Sequence, residues 1–233
     1  MTTVISLGGS IVAPDDPDSA FIMAFVRLVR EYLAVDETRR AILVVGGGGA
    51  ARQWQKAYRE CMVGTEACSD EAQDWIGVMA TRLNAQLVKA VFGELCPQDV
   101  VIDPSTVSLF MGRVLVAAGW KPGFSTDFDA VLLAQKFGAG TVLNLSNIAT
   151  VFSGDPKLDP QAAPIEKIGW NGFRKLVGEV WSPGKNLPFD PVASRQAAES
   201  GLRVICAAGR DLDNVRNILE DKPYAGTTIG PLP

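Results

Sequence analysis

Short apolar runs and amphipathic stretches alternate along this chain. Short apolar runs bounded by glycine or polar residues are typical of buried strands, and apolar residues at three- and four-residue spacing are typical of helices. The predicted strands are 4–7, 41–45, 100–101, 114–118, 141–145, 203–206 and a terminal turn and strand over 225–231. The predicted helices are about 20–34, 50–60, 74–93, 127–137, 171–177, 192–200 and 212–219. The alternation predicts an α/β protein with a mainly parallel sheet and no separate linker or repeat.

Two glycine-rich turns follow the first two predicted strands. They read SLGGS over residues 6–10 and VVGGGGAAR over residues 44–52, and each precedes a helical segment. Glycine lets the backbone approach an anion, and a helix N-terminus presents free N–H groups to it. An ordinary tight turn is the alternative for SLGGS, whereas four glycines in a row are hard to explain by packing. Two phosphate-bearing ligands with phosphoryl transfer between them form the first hypothesis.

Composition and charge limit the classes of function that the chain can have. The 233 residues are 47% apolar, enough for one large domain or two lobes that share a sheet, and the net charge of −4 gives no overall attraction to nucleic acid or to an anionic membrane. No apolar run reaches the roughly 18–20 residues of a membrane span, so we expect a cytoplasmic protein. The chain has no histidine, which excludes Ser-His-Asp and Cys-His catalysis. Phosphoryl transfer fits, because it depends mainly on positioning and charge neutralisation.

The cysteines add no chemistry of their own. The four cysteines form no CxxC pair, and buried or half-buried free thiols are the expected state.

Polar residues at predicted helix and strand ends are further candidates. In GFSTD, residues 123–127, Thr126 is the expected N-cap of the next helix, and ordinary capping is the alternative to anion binding. Arg52 lies just inside the helix after the second glycine turn, where a guanidinium can contact two phosphate oxygens. Asp74 either complements a helix dipole or hydrogen-bonds a sugar hydroxyl. Arg82 is either a solvent-facing charge or part of a site, and the polar loop 146–160 is either a surface loop or a ligand site at a strand end.

In order and spacing, these segments resemble those of the amino-acid kinase superfamily, and within it the archaeal-type uridylate (UMP) kinases. The resemblance covers nearly the whole chain and is carried by SLGGSIVAPDDPD, VVGGGGAAR, DWIGVMATRLNA, PGFSTDFDAVLLA, SNIATVFSGDPKLDP, FDPVASRQAAESGLRVI and AGTTIGP. It implies a three-layer α/β/α sandwich with a mainly parallel central sheet, formed by a single domain with an acceptor lobe over about 1–140 and an ATP lobe over about 141–233. It also implies transfer of the γ-phosphate of Mg²⁺-ATP to UMP, in a homo-oligomer that is commonly a hexamer.

The resemblance also implies roles for individual residues, position by position. It implies catalytic roles for Asp127, which would organise the catalytic centre, Arg52 and Ser10. The implied ATP contacts are Gly9, Ser10, Gly48, Arg52, Ser146, Phe152, Asp155 and Lys157. The implied UMP contacts are Gly47, Asp74, Gly119, Trp120, Lys121, Ser125 and Thr126. No protein side chain is implied as a metal ligand.

Several positions depart from the family pattern. Ser6 and Gly49 stand where many relatives have lysine, so Mg²⁺, Arg52 and either Lys157 or Lys121 must offset the phosphate charge. The acceptor loop reads AGWKPGFSTD where relatives often have GGTHPGHTTD, and Ala149 and Phe152 replace an expected Asp and Tyr. The alternatives are a kinase of the same fold for another small phosphate or carboxylate, and a non-catalytic protein that binds a nucleotide or oxyanion.

Overall fold

A central sheet of seven strands organises the molecule. The computed structural model describes residues 1–65, 67–154, 158–178 and 187–231. The strands of the sheet, in chain order, are β1 Thr2–Leu7, β2 Arg40–Val45, β3 Val114–Ala117, β4 Thr141–Ser146, β7 Lys167–Gly169, β8 Arg203–Ala208 and β9 Thr227–Gly230. In space their order is β3-β2-β1-β4-β8-β9-β7, and every neighbouring pair is parallel except β8 and β9. A separate short hairpin joins β5 Val151–Phe152 to β6 Pro164–Ile165.

Helices connect most of these strands and cover both faces of the sheet. They are α1 Gly9–Val12, α2 Ser19–Ala34, α3 Gly48–Cys61, α4 Asp70–Phe92, α5 Thr126–Lys136, α6 Trp170–Val177, α7 Pro191–Glu199 and α8 Leu212–Leu219, with a 3₁₀ turn at Gly93–Leu95. Side-chain caps fix several starting points, as where Asp18 accepts the N–H of Phe21 at 2.9 Å. No helix in the described part of the chain is long and apolar enough to cross a membrane.

The core lies on both sides of the sheet, because side chains alternate along each strand. Ile5 and Leu7 of β1 join an apolar cluster formed with α2, α4 and α8. Val4 points to the opposite face and joins a second cluster formed with α5, α6 and α7. Burial on both faces explains why the strands are continuous apolar runs rather than alternating ones. The expected three-layer α/β/α sandwich with a mainly parallel sheet is confirmed.

The parallel arrangement brings the glycine turns to one edge of the sheet. Leu7 at the end of β1 pairs with Val45 at the end of β2 and with Leu145 near the end of β4. The next strand outward, β3, ends beside β2, where Ala117 pairs with Val44. The segments that follow β1, β2, β3 and β4 therefore leave the sheet side by side. This is the edge at which open α/β sheets bind ligands.

Some predicted boundaries are wrong. The cap of α5 is Ser125, whose hydroxyl accepts the N–H of Phe128 at 3.3 Å, so Thr126 is the first helical residue and not the cap. Helix α4 begins at Asp70, because Ser69 caps it through the N–H of Ala72, and Asp74 therefore lies in the second turn.

Two further corrections concern short segments. Helix α3 begins at Gly48, two residues before the predicted start. The predicted strand 100–101 is an isolated bridge between Val101 and Ala117 and not a full strand.

Candidate active site

The two glycine turns are packed backbone against backbone. A Cβ atom on Gly9 would lie 2.0 Å from the backbone nitrogen of Gly48, and one on Gly46 would lie 2.5 Å from the nitrogen of Gly9. Gly48 has a positive φ of 63°, and Gly49 leaves no room for a Cβ beside the carbonyl of Pro14. Packing therefore does require glycine in this run, and the sequence argument against a packing explanation is wrong.

Helix α4 holds the second glycine turn in place through Asn84. The buried amide of Asn84 donates to the carbonyls of Gly46 and Gly47 at 2.9 and 3.0 Å. With these carbonyls fixed, α3 begins directly beside SLGGS. The first turn of a helix leaves N–H groups without partners inside the helix, and those groups attract anions.

A cavity of about 340 Å³ lies where these turns meet the loop after β3. The predicted site residues that line it are Gly9, Ser10, Gly47, Gly48, Arg52, Asp74, Gly119, Ser125 and Thr126. Gln55, Gly77, Val78, Thr81 and Phe124 complete much of the wall. The structure thus brings together five of the seven residues expected to contact the acceptor with four that were expected to contact ATP phosphates.

Arg52 supplies the cationic group of the cavity wall. Its guanidinium donates to the carbonyl of Pro14 at 2.5 Å, and the side chain is otherwise exposed. The bond ties the start of α3 to the loop that follows SLGGS. It also leaves guanidinium donors available for a phosphate at the cavity.

The loop over residues 119–126 is fixed by three side chains of helix α4. The hydroxyl of Thr81 accepts the N–H of Gly119 at 2.8 Å, and Asp74 accepts the N–H of Gly123 at 3.0 Å. Arg82 donates to the carbonyl of Trp120 at 2.9 Å, so it is not the simple solvent-facing charge considered above. Burial raises the pKa of Asp74 above its ordinary value. These hydrogen bonds hold the loop against α4 on one side of the cavity.

Aromatic rings stiffen the same loop. The rings of Trp120 and Phe124 lie 5.2 Å apart, and those of Phe124 and Phe128 lie 4.6 Å apart. The ammonium group of Lys121 sits 3.9 Å from the Trp120 ring centre. Such contacts favour a single loop conformation.

Trp120 and Lys121 do not line the inner cavity. Lys121 lines an outer pocket of about 590 Å³, which shares Asp74 with the inner cavity and also contacts Trp75. The side chain of Trp120 lines neither of these two. Its contribution lies in how its peptide and ring hold the loop.

Asp127 lies behind the cavity, beside Thr126, and joins three elements. One of its oxygens accepts the Ser6 hydroxyl at 2.9 Å, and the other accepts the N–H of Asp190 at 3.2 Å. Burial raises its pKa to about 7, and the nearby charge of Asp190 contributes. The carboxyl of Asp190 caps α7 through the N–H of Ala193 at 2.6 Å. Asp127 thus links β1, α5 and the start of α7.

Of the predicted ATP residues in the C-terminal half, the structure describes Ser146 and Phe152, and neither lines this cavity. Ser146 ends β4, beside Gly8 of the first turn, and its hydroxyl accepts the N–H of Ile148 at 3.1 Å. Phe152 lies in the separate hairpin. Asp155 and Lys157 lie outside the described residues, and their predicted roles stay predictions.

The sequence analysis did not identify several residues that support the site. Asn84 and Thr81 are polar side chains buried in the apolar helix α4, and their burial is a signal that helical periodicity could have given. Asp129 is fully buried in the apolar segment TDFDAVLLA, and Asp190 precedes a proline at the start of α7. Each of these side chains bonds the backbone of another segment or caps a helix.

Within the described ranges, no group of three or more Asp, Glu or Cys residues could hold a metal ion. Mg²⁺ usually keeps several waters and binds through one or two carboxylates together with substrate phosphates. Asp74 is a carboxylate on the wall of the cavity, so the residues present fit a Mg²⁺ ion that would take most of its ligands from substrate phosphates and water.

Comparison with known proteins points in one direction. The model of the amino acid kinase family matches residues 1–208. The chain is 33% identical to a uridylate kinase of Methanospirillum hungatei over 98% of this chain and 94% of that protein. It is 30% identical to a uridylate kinase of Pyrococcus abyssi over 99% of this chain and 100% of that protein. The crystal structure of uridylate kinase from Archaeoglobus fulgidus superposes with a TM-score of 0.82 at 29% identity, covering 99% of this chain and all of that one.

Proposed function

We propose that this chain, which belongs to the amino acid kinase family, is a uridylate kinase. Such an enzyme transfers the γ-phosphate of ATP to UMP and releases UDP and ADP. The observation that carries this function is the cavity in which Gly9 and Ser10, Gly47 and Gly48, and Ser125 and Thr126 meet. A phosphoryl donor and a phosphorylated acceptor need such a shared space, because the reacting oxygens must lie in line with the transferred phosphorus.

We assign the two sides of the cavity to the two substrates. Gly9, Ser10, Gly48 and Arg52 would contact the phosphates of ATP, on the side where SLGGS meets the start of α3. Backbone N–H groups and a guanidinium suit phosphate oxygens there.

The opposite side would hold UMP. Gly47 and Asp74 face it from the second glycine turn and from α4, and Asp74 would hydrogen-bond the uridine portion. The loop over residues 119–126 would wrap the UMP phosphate through Ser125 and Thr126. Lys121, on the outer pocket that shares Asp74, would extend this side outward.

The transfer itself needs charge neutralisation and positioning more than covalent catalysis. An oxygen of the UMP phosphate attacks the γ-phosphorus while the bond from that phosphorus to the β-phosphate oxygen breaks, so ADP leaves with the electron pair. Mg²⁺, bound by the nucleotide phosphates, would supply charge neutralisation. Arg52 offsets negative charge at the donor side, and Asp127 keeps Ser6 and the start of α7 in register with α5.

Other features of the proposed enzyme stay predictions. They are an acceptor lobe over 1–140 and an ATP lobe over 141–233, ATP contacts at Ser146, Phe152, Asp155 and Lys157, a cytoplasmic location and a hexameric assembly.

The test is an acceptor panel. The purified protein is incubated with Mg²⁺-ATP and each of UMP, CMP, AMP, GMP and small carboxylates, and ADP release is measured. UMP should give the highest rate, well above that without acceptor. A higher rate with another acceptor would favour a different kinase of this fold, and no ADP with any acceptor would favour a binding protein.

A further inference from the structure

The peptide group of Trp120 is held at both ends, by a carboxyl group and by a guanidinium group. Asp129 of α5 accepts its N–H at 3.1 Å, and Arg82 of α4 donates to its carbonyl at 2.9 Å. The N–H just before it, on Gly119, is bound by Thr81, one residue before Arg82. Successive backbone groups at the start of the acceptor loop are therefore fixed from two helices.

These two side chains are costly to bury. Asp129 has no exposed surface, and its second oxygen, Oδ1, has no hydrogen-bond partner in the described part of the chain. The Nε atom of Arg82 is likewise buried without a partner there. Burial raises the pKa of Asp129 to about 8. An apolar side chain would avoid this cost, because buried polar atoms without partners destabilise the fold.

The Trp120 peptide is connected to the cavity by packing. The side-chain ring of Trp120 contacts the ring of Phe124, and Phe124 lines the cavity together with Ser125 and Thr126. Phe124 in turn contacts Phe128, in the first turn of α5, one residue before Asp129. Asp129 and the aromatic rings therefore tie both ends of the loop to the same helix. A shift of the Trp120 peptide would move the groups that face the acceptor.

We propose that Arg82 and Asp129 are positioning residues of the phosphoryl transfer, which clamp the Trp120 peptide and thereby hold the acceptor loop ready for UMP. This inference rests on the proposed function, because it assigns the loop to the acceptor. Neither residue lines the cavity, so each acts through the loop and not by touching the substrate.

The test compares steady-state kinetics of Asp129→Ala, Asp129→Asn and Arg82→Ala with the unmodified protein, varying UMP and ATP separately. Asp129→Ala and Arg82→Ala should each raise KM for UMP about tenfold, with KM for ATP changed less than twofold, because each removes one hydrogen bond of the loop. Asp129→Asn keeps an oxygen acceptor for the Trp120 N–H and resembles the protonated acid. It should restore KM for UMP to within about twofold.

The control is Gln86→Ala, an exposed position on the same helix as Arg82, which should leave both KM values unchanged. The double variant Arg82→Ala/Asp129→Ala should raise KM for UMP by less than the product of the single effects, because both side chains hold one peptide. Unchanged KM for UMP in the single variants, equal increases for both substrates, or no recovery in Asp129→Asn would overturn the clamp. Absence of UDP formation by the unmodified protein would instead overturn the proposed function.

Discussion

Replacing Asp127 by asparagine should inactivate the protein and stabilise its fold at the same time. Asp127 is a carboxyl held away from water, with Asp190 close enough to oppose its ionisation. Asparagine has the same shape and can still accept the Ser6 hydroxyl through its oxygen. It presents an amide N–H₂ where Asp127 accepts the N–H of Asp190, so that hydrogen bond is lost.

The gain in stability follows from the shifted pKa. A carboxyl whose pKa rises from 3.8 to about 7 on folding lowers the free energy of unfolding by about 4 kcal/mol once the pH exceeds 7. Below pH 4 both states carry the proton and the cost vanishes, so the cost grows between about pH 4 and pH 7 as the unfolded chain ionises first. Loss of the hydrogen bond from the Asp190 N–H reduces this gain in the free energy of unfolding by about 1 kcal/mol. The variant should therefore be more stable by about 3 kcal/mol at pH 8.

Urea denaturation at pH 5 and pH 8 measures this difference, and Asp16→Asn, at an exposed loop carboxyl, is the matched control. The stability difference between Asp127→Asn and the unmodified protein should grow by about 3 kcal/mol from pH 5 to pH 8, while the control should change little. In the same preparations, kcat for UMP phosphorylation by Asp127→Asn should fall by about 100-fold or more.

Two results would refute this reasoning. A variant that is no more stable than the unmodified protein at pH 8 would mean that Asp127 is not held as an unfavourable buried charge. A kcat above about a tenth of the original value would remove Asp127 from the organisation of the catalytic centre. A binding protein would show no turnover to lose and would keep its nucleotide affinity in the variant.

Three other changes test the cavity. Arg52→Ala should raise KM for ATP about 10- to 100-fold, because it removes a charge-assisted bond to phosphate; an unchanged KM for ATP in steady-state kinetics would contradict that assignment. Gly48→Ala should lower the melting temperature strongly, because Gly48 has a positive φ and the carbonyls of Ala13 and Gly9 leave no room for a Cβ. The control is Gly140→Ala, where no atom lies within 4 Å of the added Cβ; its melting temperature in calorimetry should equal that of the unmodified protein. Asn84→Ala should lower kcat/KM about tenfold, because two carbonyls of the glycine turn lose their hydrogen-bond donor. An unchanged kcat/KM would show that the turn keeps its conformation without Asn84.

The sequence predicted the order of the longer strands and helices, because buried parallel strands such as AILVV are continuous apolar runs bounded by turns. It did not predict the short elements α1, β5, β6 and β7. The grouping of the glycine turns with the loop 119–126 came from the resemblance to the amino-acid kinase superfamily, and the structure brings these segments to one cavity. Boundaries failed where capping decided them. Ser69 and Ser125 take the first N–H groups of their helices, and neighbouring hydroxyl and acidic residues looked equally suitable.

The support of the site could not be predicted, because it depends on contacts between distant segments. Asn84 reaches the glycine turn 37 and 38 residues earlier in the chain, and Asp127 meets Ser6 across 121 residues. The need for glycine at Gly46 and Gly48 likewise comes from the other turn, whose backbone lies where a Cβ would be. Local patterns carry no information about such distances.

The central claim is the transfer of the γ-phosphate of ATP to UMP. The most direct measurement is ³¹P NMR of the purified protein with Mg²⁺, ATP and UMP, followed over time. The signals of UDP and ADP should rise in a 1:1 ratio as those of ATP and UMP fall, with little free phosphate. Unchanged UMP, or conversion of ATP to ADP and inorganic phosphate without UDP, would contradict the account.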